Sequence, residues 1–100
     1  MKEKTIKNKA YRTLEAQGFH CWSPVKSRWG GEKDIWGVFD MVAGKEAEIL
    51  YVQYTTAPNV LARVRKVKDF LSRTGIVFTG NNRAEVWGRK PNGEWRVVVL

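Results

Sequence analysis

Two strand-like runs joined by a short polar segment constrain the fold of this chain more than any other feature. The runs are "IWGVFDMVA", residues 35–43, and "ILYVQYTT", residues 49–56, with "GKEAE", residues 44–48, between them. So short a connection predicts an antiparallel hairpin, because parallel strands need a crossover of a dozen or more residues. A turn at the centre of that segment would place Asp40 almost opposite Gln53, with their Cβ atoms about 5 Å apart.

The segments on either side of this hairpin predict helices and further strands. The predicted helices span residues 3–17 and 59–73, and the predicted strands span residues 19–25, 75–80, 84–90 and 94–100. Gly18 is a typical stop after the first helix, and Asn92 with Gly93 is the expected turn pair of the last two strands. The order α-β-β-β-α-β-β-β predicts one α/β domain over residues 1–100, with a mixed sheet and flanking helices.

The charge balance indicates an anionic partner. Eighteen Lys and Arg residues against ten Asp and Glu residues give a net charge of +8 and a pI near 9.9. Nucleic acid is the commonest partner of such a chain, and we expect DNA. No apolar run reaches the roughly 20 residues of a membrane span. The N-terminal residues lack the apolar stretch of a secretory signal, so we expect a cytoplasmic protein without a membrane partner.

Cysteine and histidine counts restrict the metal chemistry. Cys21 is the single cysteine and His20 the single histidine. An internal disulfide, a cysteine-rich zinc site and a two-histidine site are therefore excluded. A metal ion would need oxygen ligands, which favours magnesium or manganese.

The opposed pair Asp40 and Gln53 suggests such a site. A carboxylate and an amide oxygen at this spacing could hold one divalent cation, with water and a phosphate oxygen completing its shell. This is the chemistry of metal-assisted phosphodiester hydrolysis. The alternative is structural, since a partly buried Asp and Gln can hydrogen-bond to each other or to a loop.

The segments "DIWGVFD", "VQYTT" and "AEVWGRKPNGEWRVVVL" resemble the PD-(D/E)XK nuclease superfamily. The resemblance covers roughly residues 5–100 and is greatest to archaeal Holliday-junction resolvases and to small phage-related and bacterial proteins. It implies a restriction-endonuclease-like sandwich and a Mg²⁺- or Mn²⁺-dependent endonuclease that cleaves DNA. It also implies a prokaryotic, phage or mobile-element source, and a homodimer with the closing hairpin as one candidate interface.

Carried onto this sequence, the resemblance gives a catalytic set of Asp40, Gln53 and Thr55. Asp40 matches the metal-binding Asp of the superfamily, Gln53 stands at the acidic position and Thr55 at the lysine position. Gln removes a negative charge, and Thr removes the cation that would stabilise the phosphorane charge. The helical Glu of the superfamily would fall near Lys7 or Asn8.

Several residues are candidate substitutes for the missing groups. Asp34 could be a second metal ligand beside Asp40 and Gln53, or a solvated loop carboxylate. Lys66, Lys26 or Lys33 could replace the lysine, although a solvated face is the alternative for each. Because of these departures, a scaffold that binds nucleic acid without cleaving it stays open, as does a protein-interaction module.

Basic residues in two places predict a nucleic-acid surface. Lys26, Arg28 and Lys33 surround Trp29 in a glycine-containing loop, where phosphate contacts and one stacking contact could combine. Arg63 and Lys66 on the second helix could add phosphate contacts. The other four tryptophans are expected in the core or on a sheet face, and they are Trp22, Trp36, Trp87 and Trp95.

Overall fold

The computed structural model describes residues 3–24 and 34–100 and contains two α-helices and five strands. The elements are α1 (Glu3–Ala16), β1 (His20–Trp22), β2 (Met41–Lys45), β3 (Glu48–Thr56), α2 (Val60–Thr74), β4 (Asn82–Arg89) and β5 (Trp95–Val99). A single 3₁₀ turn, Ala57–Asn59, leads into α2. None of the helices in this described part is long and apolar enough to cross a membrane.

The five strands form one mixed sheet in the order β1-β2-β3-β4-β5. Every neighbouring pair is antiparallel except β3 and β4, which run parallel. Helix α2 makes the crossover between those two strands, as a parallel connection requires. The mixed sheet with flanking helices confirms the predicted fold class.

The two helices cover opposite faces of the sheet because each has an apolar stripe. On α1 the stripe is Ile6, Ala10 and Leu14, and it packs against alternate residues of β2 and β3, such as Met41 and Val52. On α2 the buried residues follow helical spacing and pack against β4; they are Val60, Val64, Val67 and Phe70. Leu61, which follows Val60 in the sequence, is exposed. The result is a three-layer arrangement with a separate core on each side of the sheet.

Both helices end at glycines in the left-handed conformation. Gly18 has φ of +93°, and Gly75 has φ of +74° and donates its N–H to the Leu71 carbonyl. Glycine takes this conformation without the steric cost of a Cβ atom, which explains the two stops.

The predicted strand over residues 35–43 is wrong in its first half, since β2 begins only at Met41. Residues 35–39 form a tight turn in which Val38 donates its N–H to the Ile35 carbonyl. Trp36 and Gly37 both have positive φ, +57° and +71°, which is the pattern of a type I′ turn. Glycine at position 37 takes the positive φ that the turn requires at low steric cost. The apolar run that resembles a strand therefore reverses its direction at this turn.

The predicted strand over residues 75–80 is absent from the structure, so the order is α-β-β-β-α-β-β. Strands β3 and β4 pair directly from Ile49 and Asn82 onward, which leaves no position for a strand between them. Ile76 and Phe78 pack against the α2-side core from a loop. Burial of an apolar segment therefore did not require strand pairing here.

The closing hairpin is confirmed, with a different turn. Gly93 donates its N–H to the Lys90 carbonyl and has φ of +92°, whereas Asn92 keeps a negative φ. Pro91 and Asn92 are therefore the central residues, and Gly93 follows them in the left-handed conformation. This is a three-residue loop rather than the expected two-residue turn.

Candidate functional site

Asp40 lies where β2 begins, beside the middle of β3. Met41 pairs with Val52, and the Asp40 N–H also donates to the Val52 carbonyl at 2.8 Å. The short β2–β3 turn fixes this register, and the predicted proximity of Asp40 to Gln53 agrees with it. The β2–β3 hydrogen-bond ladder is irregular at Asp40. The N–H of Tyr54 in β3 donates to the Asp40 side chain rather than to a backbone carbonyl.

The Asp40 carboxylate is held by the backbone of β3. Its Oδ2 atom accepts a hydrogen bond from the Tyr54 N–H at 2.9 Å, and the residue is only 8% exposed. This bond places the carboxylate against the peptide group that joins Gln53 to Tyr54. A carboxylate anchored by an N–H loses little further freedom when it binds a cation, which makes the position suitable for a ligand.

Gln53 is buried, and part of its side chain is unpartnered. The residue is 1% exposed, and among the described residues its Oε1 atom has no hydrogen-bond partner. A buried polar atom left unsatisfied costs about 1–3 kcal/mol. The amide oxygen is therefore ready to accept a donor or to bind a cation.

Thr55 lies at the carboxyl end of β3, under the start of α2. It is buried and pairs with Gly88 of the parallel strand β4. A Cβ atom at Gly88 would lie 2.2 Å from a methyl carbon of Val60 and 3.0 Å from the Ala57 Cα atom. The chain that enters α2 thus packs directly on β4, and this close approach places the helix beside Thr55. Sequence reasoning missed Gly88, although a glycine inside a strand often marks a close backbone approach.

The tight turn at residues 35–39 separates Asp34 from Asp40 in the chain. Two backbone hydrogen bonds, with N to O distances of 2.7 and 3.0 Å, close the bridge between Ile35 and Phe39. The two aspartates stand immediately before and after this bridge in the sequence. Asp34 is partly exposed. Across residues 3–24 and 34–100, no three His, Cys, Asp or Glu side chains are grouped to hold a metal ion.

The predicted nucleic-acid residues are described only in part. Arg63 is half-buried and Lys66 is exposed on α2. The loop candidates Lys26, Arg28, Trp29 and Lys33 lie outside the described residues.

The α1 residues at the expected glutamate position line a groove. Lys7 and Asn8 contribute to a groove of about 530 Å³ between α1 and β1, together with Tyr11, Arg12, Glu15, Cys21, Trp22 and Ser23. Tyr11 and Ser23 share a hydrogen bond across it. Burial, and then the charge of Glu15, raise the pKa of the Cys21 thiol above its usual value. Cys21 is therefore protonated near neutral pH, which argues against a nucleophilic role.

A buried carboxylate outside this site has a structural role. Glu85 accepts hydrogen bonds from Trp87 Nε1 at 2.8 Å and from Arg83 Nε at 3.3 Å. Arg83 also contacts Glu48 at 3.2 Å, so it connects β3 to β4. These bonds occupy the Glu85 carboxylate on the α1 side of the sheet, away from Gln53.

Trp36 is an exposed aromatic residue that sequence reasoning assigned to the core or a sheet face. It is 51% exposed, and its ring stacks on Tyr51 and Phe70 with centroid distances of 5.4 and 5.7 Å. Trp22 is also exposed, whereas Trp87 is buried and Trp95 packs against it. The only sequence signal for the position of Trp36 is the Gly37 that follows it.

Comparison with known proteins bears on the fold. No protein-family model matches the sequence, and no curated protein matches it. Among solved structures, the chain is similar to Hjc, a Holliday junction resolvase from the archaeal hyperthermophile Archaeoglobus fulgidus. The TM-score is 0.61 at 18% sequence identity, over 97% of this chain and 71% of that one. At this identity the likeness establishes a shared fold, and the chain is a small α/β domain with the architecture of that resolvase.

Proposed function

We propose that this chain binds DNA and hydrolyses phosphodiester bonds with one Mg²⁺ or Mn²⁺ ion held by Asp40 and Gln53. One observation carries the proposal: the Asp40 carboxylate is anchored to the Tyr54 N–H, and the preceding residue, Gln53, has a buried amide oxygen with no partner among the described residues. The net charge of +8 and the resolvase-like fold support a DNA substrate. The protein would act inside a prokaryotic cell or on the DNA of a phage or mobile element.

The residues present fit a hard divalent cation. Asp40 and Gln53 offer a carboxylate and an amide oxygen, and Mg²⁺ is commonly held by one or two carboxylates together with water and substrate phosphates. Asp34 is the candidate second carboxylate at the edge of the site. The ion would supply polarisation of the phosphate and a lower pKa for the attacking water.

The chain itself would orient the reacting groups. The Tyr54 N–H holds the Asp40 carboxylate in place, so the ligand needs no reorganisation when substrate arrives. Thr55 lies two residues beyond Gln53 on the same side of β3, where its hydroxyl could donate to a phosphate oxygen or to the water. Lys66 and Arg63 would bind flanking phosphates, as would the loop residues Lys26, Arg28 and Lys33 with Trp29.

A cleavage assay with a ligand variant tests this proposal. Linear duplex, single-stranded and four-way-junction DNA would be incubated with Mg²⁺ or Mn²⁺ and either the wild type or Asp40→Asn. We expect metal-dependent nicking that Asp40→Asn reduces at least about 100-fold, because the variant loses the charged ligand. Glu94→Gln is the matched control, since it removes an exposed carboxylate on the closing hairpin. Equal nicking by wild type and Asp40→Asn would refute the role of Asp40.

A second candidate function is DNA binding without cleavage. The residue at the expected lysine position is Thr55, and the described residues contain no three-residue metal-ligating cluster. Salt-dependent binding with no nicking on any substrate would select this function. Absence of binding even at about 50 mM salt, where phosphate contacts are strong, would instead favour a protein-interaction module.

A further inference from the structure

Trp36 occupies a backbone conformation that disfavours its residue type. Its φ of +57° is at the first central position of a type I′ turn, where Asn, Asp and Gly are preferred. Residues held in the left-handed region against their preference cluster at functional sites, because surrounding contacts must maintain them. For Trp36, the contacts that maintain this conformation are with the aromatic rings of neighbouring residues.

Three aromatic rings pack against Trp36. Its ring is nearly parallel to those of Tyr51 and Phe70, with interplanar angles of 21° and 23°. Phe39 meets Trp36, Tyr51 and Phe70 with its own ring and adds a further layer of support. Half of the Trp36 surface nonetheless remains exposed. The ring is thus a fixed, partly open aromatic surface.

This aromatic surface shares a side of the sheet with the candidate site and a side of α2 with two cations. Tyr51 precedes Gln53 by two residues, so the two lie about 7 Å apart along β3 and face the same side of the sheet. Phe70 follows Lys66 by four residues and Arg63 by seven, a spacing that puts all three on one side of α2. Through Tyr51 and Phe70, Trp36 is therefore on the same side of the sheet as Gln53 and on the side of α2 that carries Arg63 and Lys66.

We propose that the exposed Trp36 ring stacks on an unpaired nucleobase, so that the preferred substrate is DNA with single-stranded or displaced bases. The inference rests on the proposed DNA binding and adds a class of substrate to it. Stacking on an aromatic ring requires a base whose face is free, which an uninterrupted duplex does not present. The net charge of +8 and the neighbouring Arg63 and Lys66 favour a polyanion over a protein partner.

Binding measurements with two variants of one residue test the proposal. Fluorescence anisotropy would give the affinities of a labelled 12-nucleotide single strand and of the matching duplex. Trp36→Asn removes the ring and gives the turn its favoured Asn-Gly sequence, so the fold should persist. Trp36→Phe keeps an aromatic ring. Val77→Ala is the control, since Val77 is an exposed apolar residue outside the set of aromatic rings.

We expect Trp36→Asn to weaken single-strand binding at least about fivefold, the lower limit for one base–aromatic stack. Duplex affinity should change less than about twofold, and Trp36→Phe should retain most of the single-strand affinity. Thermal unfolding of each variant would establish that it is folded. A role limited to stability would not alter the ratio of the two affinities.

Four outcomes would overturn the inference. Unchanged single-strand affinity in Trp36→Asn, or an equal loss for both DNAs, would remove the stacking role while leaving DNA binding intact. If Trp36→Asn converted an oligomer to a monomer and left both DNA affinities unchanged, a second copy of the chain, and not a base, would cover the Trp36 ring. Failure of the wild type to bind any DNA at low salt would instead refute the proposed function itself.

Discussion

At the scale of single residues, the most informative atom is the Gln53 amide oxygen. It is buried without a partner among the described residues, and the N–H of the next residue, Tyr54, holds the Asp40 carboxylate. A polar atom in this state destabilises the folded chain unless a ligand satisfies it. Stability and ion binding should therefore be coupled at this position.

Replacement of Gln53 tests that coupling. In EDTA, we expect Gln53→Met to be about 1 kcal/mol more stable than the wild type, because an apolar side chain of similar length removes the unsatisfied oxygen. Added Mn²⁺ should raise the melting temperature of the wild type and not that of Gln53→Met. Thermal unfolding followed by circular dichroism measures both effects. A variant that Mn²⁺ stabilises as much as it stabilises the wild type would show that Gln53 is no ligand.

Cys21 gives a pH-dependent prediction. Because burial and Glu15 raise its pKa in the folded state, the folded thiol holds its proton to a higher pH than an unfolded one. We expect alkylation by iodoacetamide to be slower than for a free cysteine at pH 8–9 and to approach it at higher pH. The Cys21 contribution to stability should fall as pH rises above the pKa of the unfolded thiol. Rates measured by mass spectrometry in native and urea-unfolded protein would check this, and equal rates would contradict it.

At the scale of elements, the position of α2 depends on a strand residue without a side chain. Gly88 lets the chain around Ala57 and Val60 lie directly on β4, and this contact sets where the carboxyl end of β3 meets the helix. The α2 sequence explains why a helix forms, through its apolar stripe and its Gly75 cap. It does not specify where the helix begins relative to Thr55.

A pair of glycine substitutions separates close packing from strand propensity. Gly88→Ala should destabilise the fold by about 1–3 kcal/mol, because its Cβ would overlap Val60. Gly44→Ala, also in a strand, meets only the Glu48 carbonyl at 3.9 Å and should be nearly neutral. Urea denaturation measures both changes. Similar effects of the two substitutions would show that strand propensity, and not the contact with α2, dominates.

At the scale of the whole molecule, β5 leaves one edge of the sheet open in the described part of the chain. Val97 and Val99 on this strand are 43% and 57% exposed. Unpaired strand edges with apolar side chains favour pairing with another strand. We propose that two copies associate through this closing hairpin, as the sequence resemblance also implies.

A charged residue on that edge tests the proposed dimer. Val99→Lys should shift the protein toward a monomer, since a lysine on an edge strand opposes edge-to-edge pairing. Sedimentation equilibrium at matched concentrations measures the shift, with Leu61→Lys as a control of equal exposure on α2. A wild type that sediments as a monomer would refute the proposed dimer, as would dimers of equal affinity in wild type and Val99→Lys.

The sequence by itself determined the helices, the β2–β3 hairpin and the closing hairpin, because local periodicity and short turns specify them. The same local rules placed Asp40 beside Gln53, since a short turn fixes register. Tertiary structure decided that residues 35–39 turn back and that residues 75–79 stay a loop. Tertiary structure also decided that β3 and β4 pair in parallel, because the partner of a strand depends on which faces of the sheet the helices cover. The exposure of Trp36 and the close approach at Gly88 arise from contacts between distant segments, which no local pattern records.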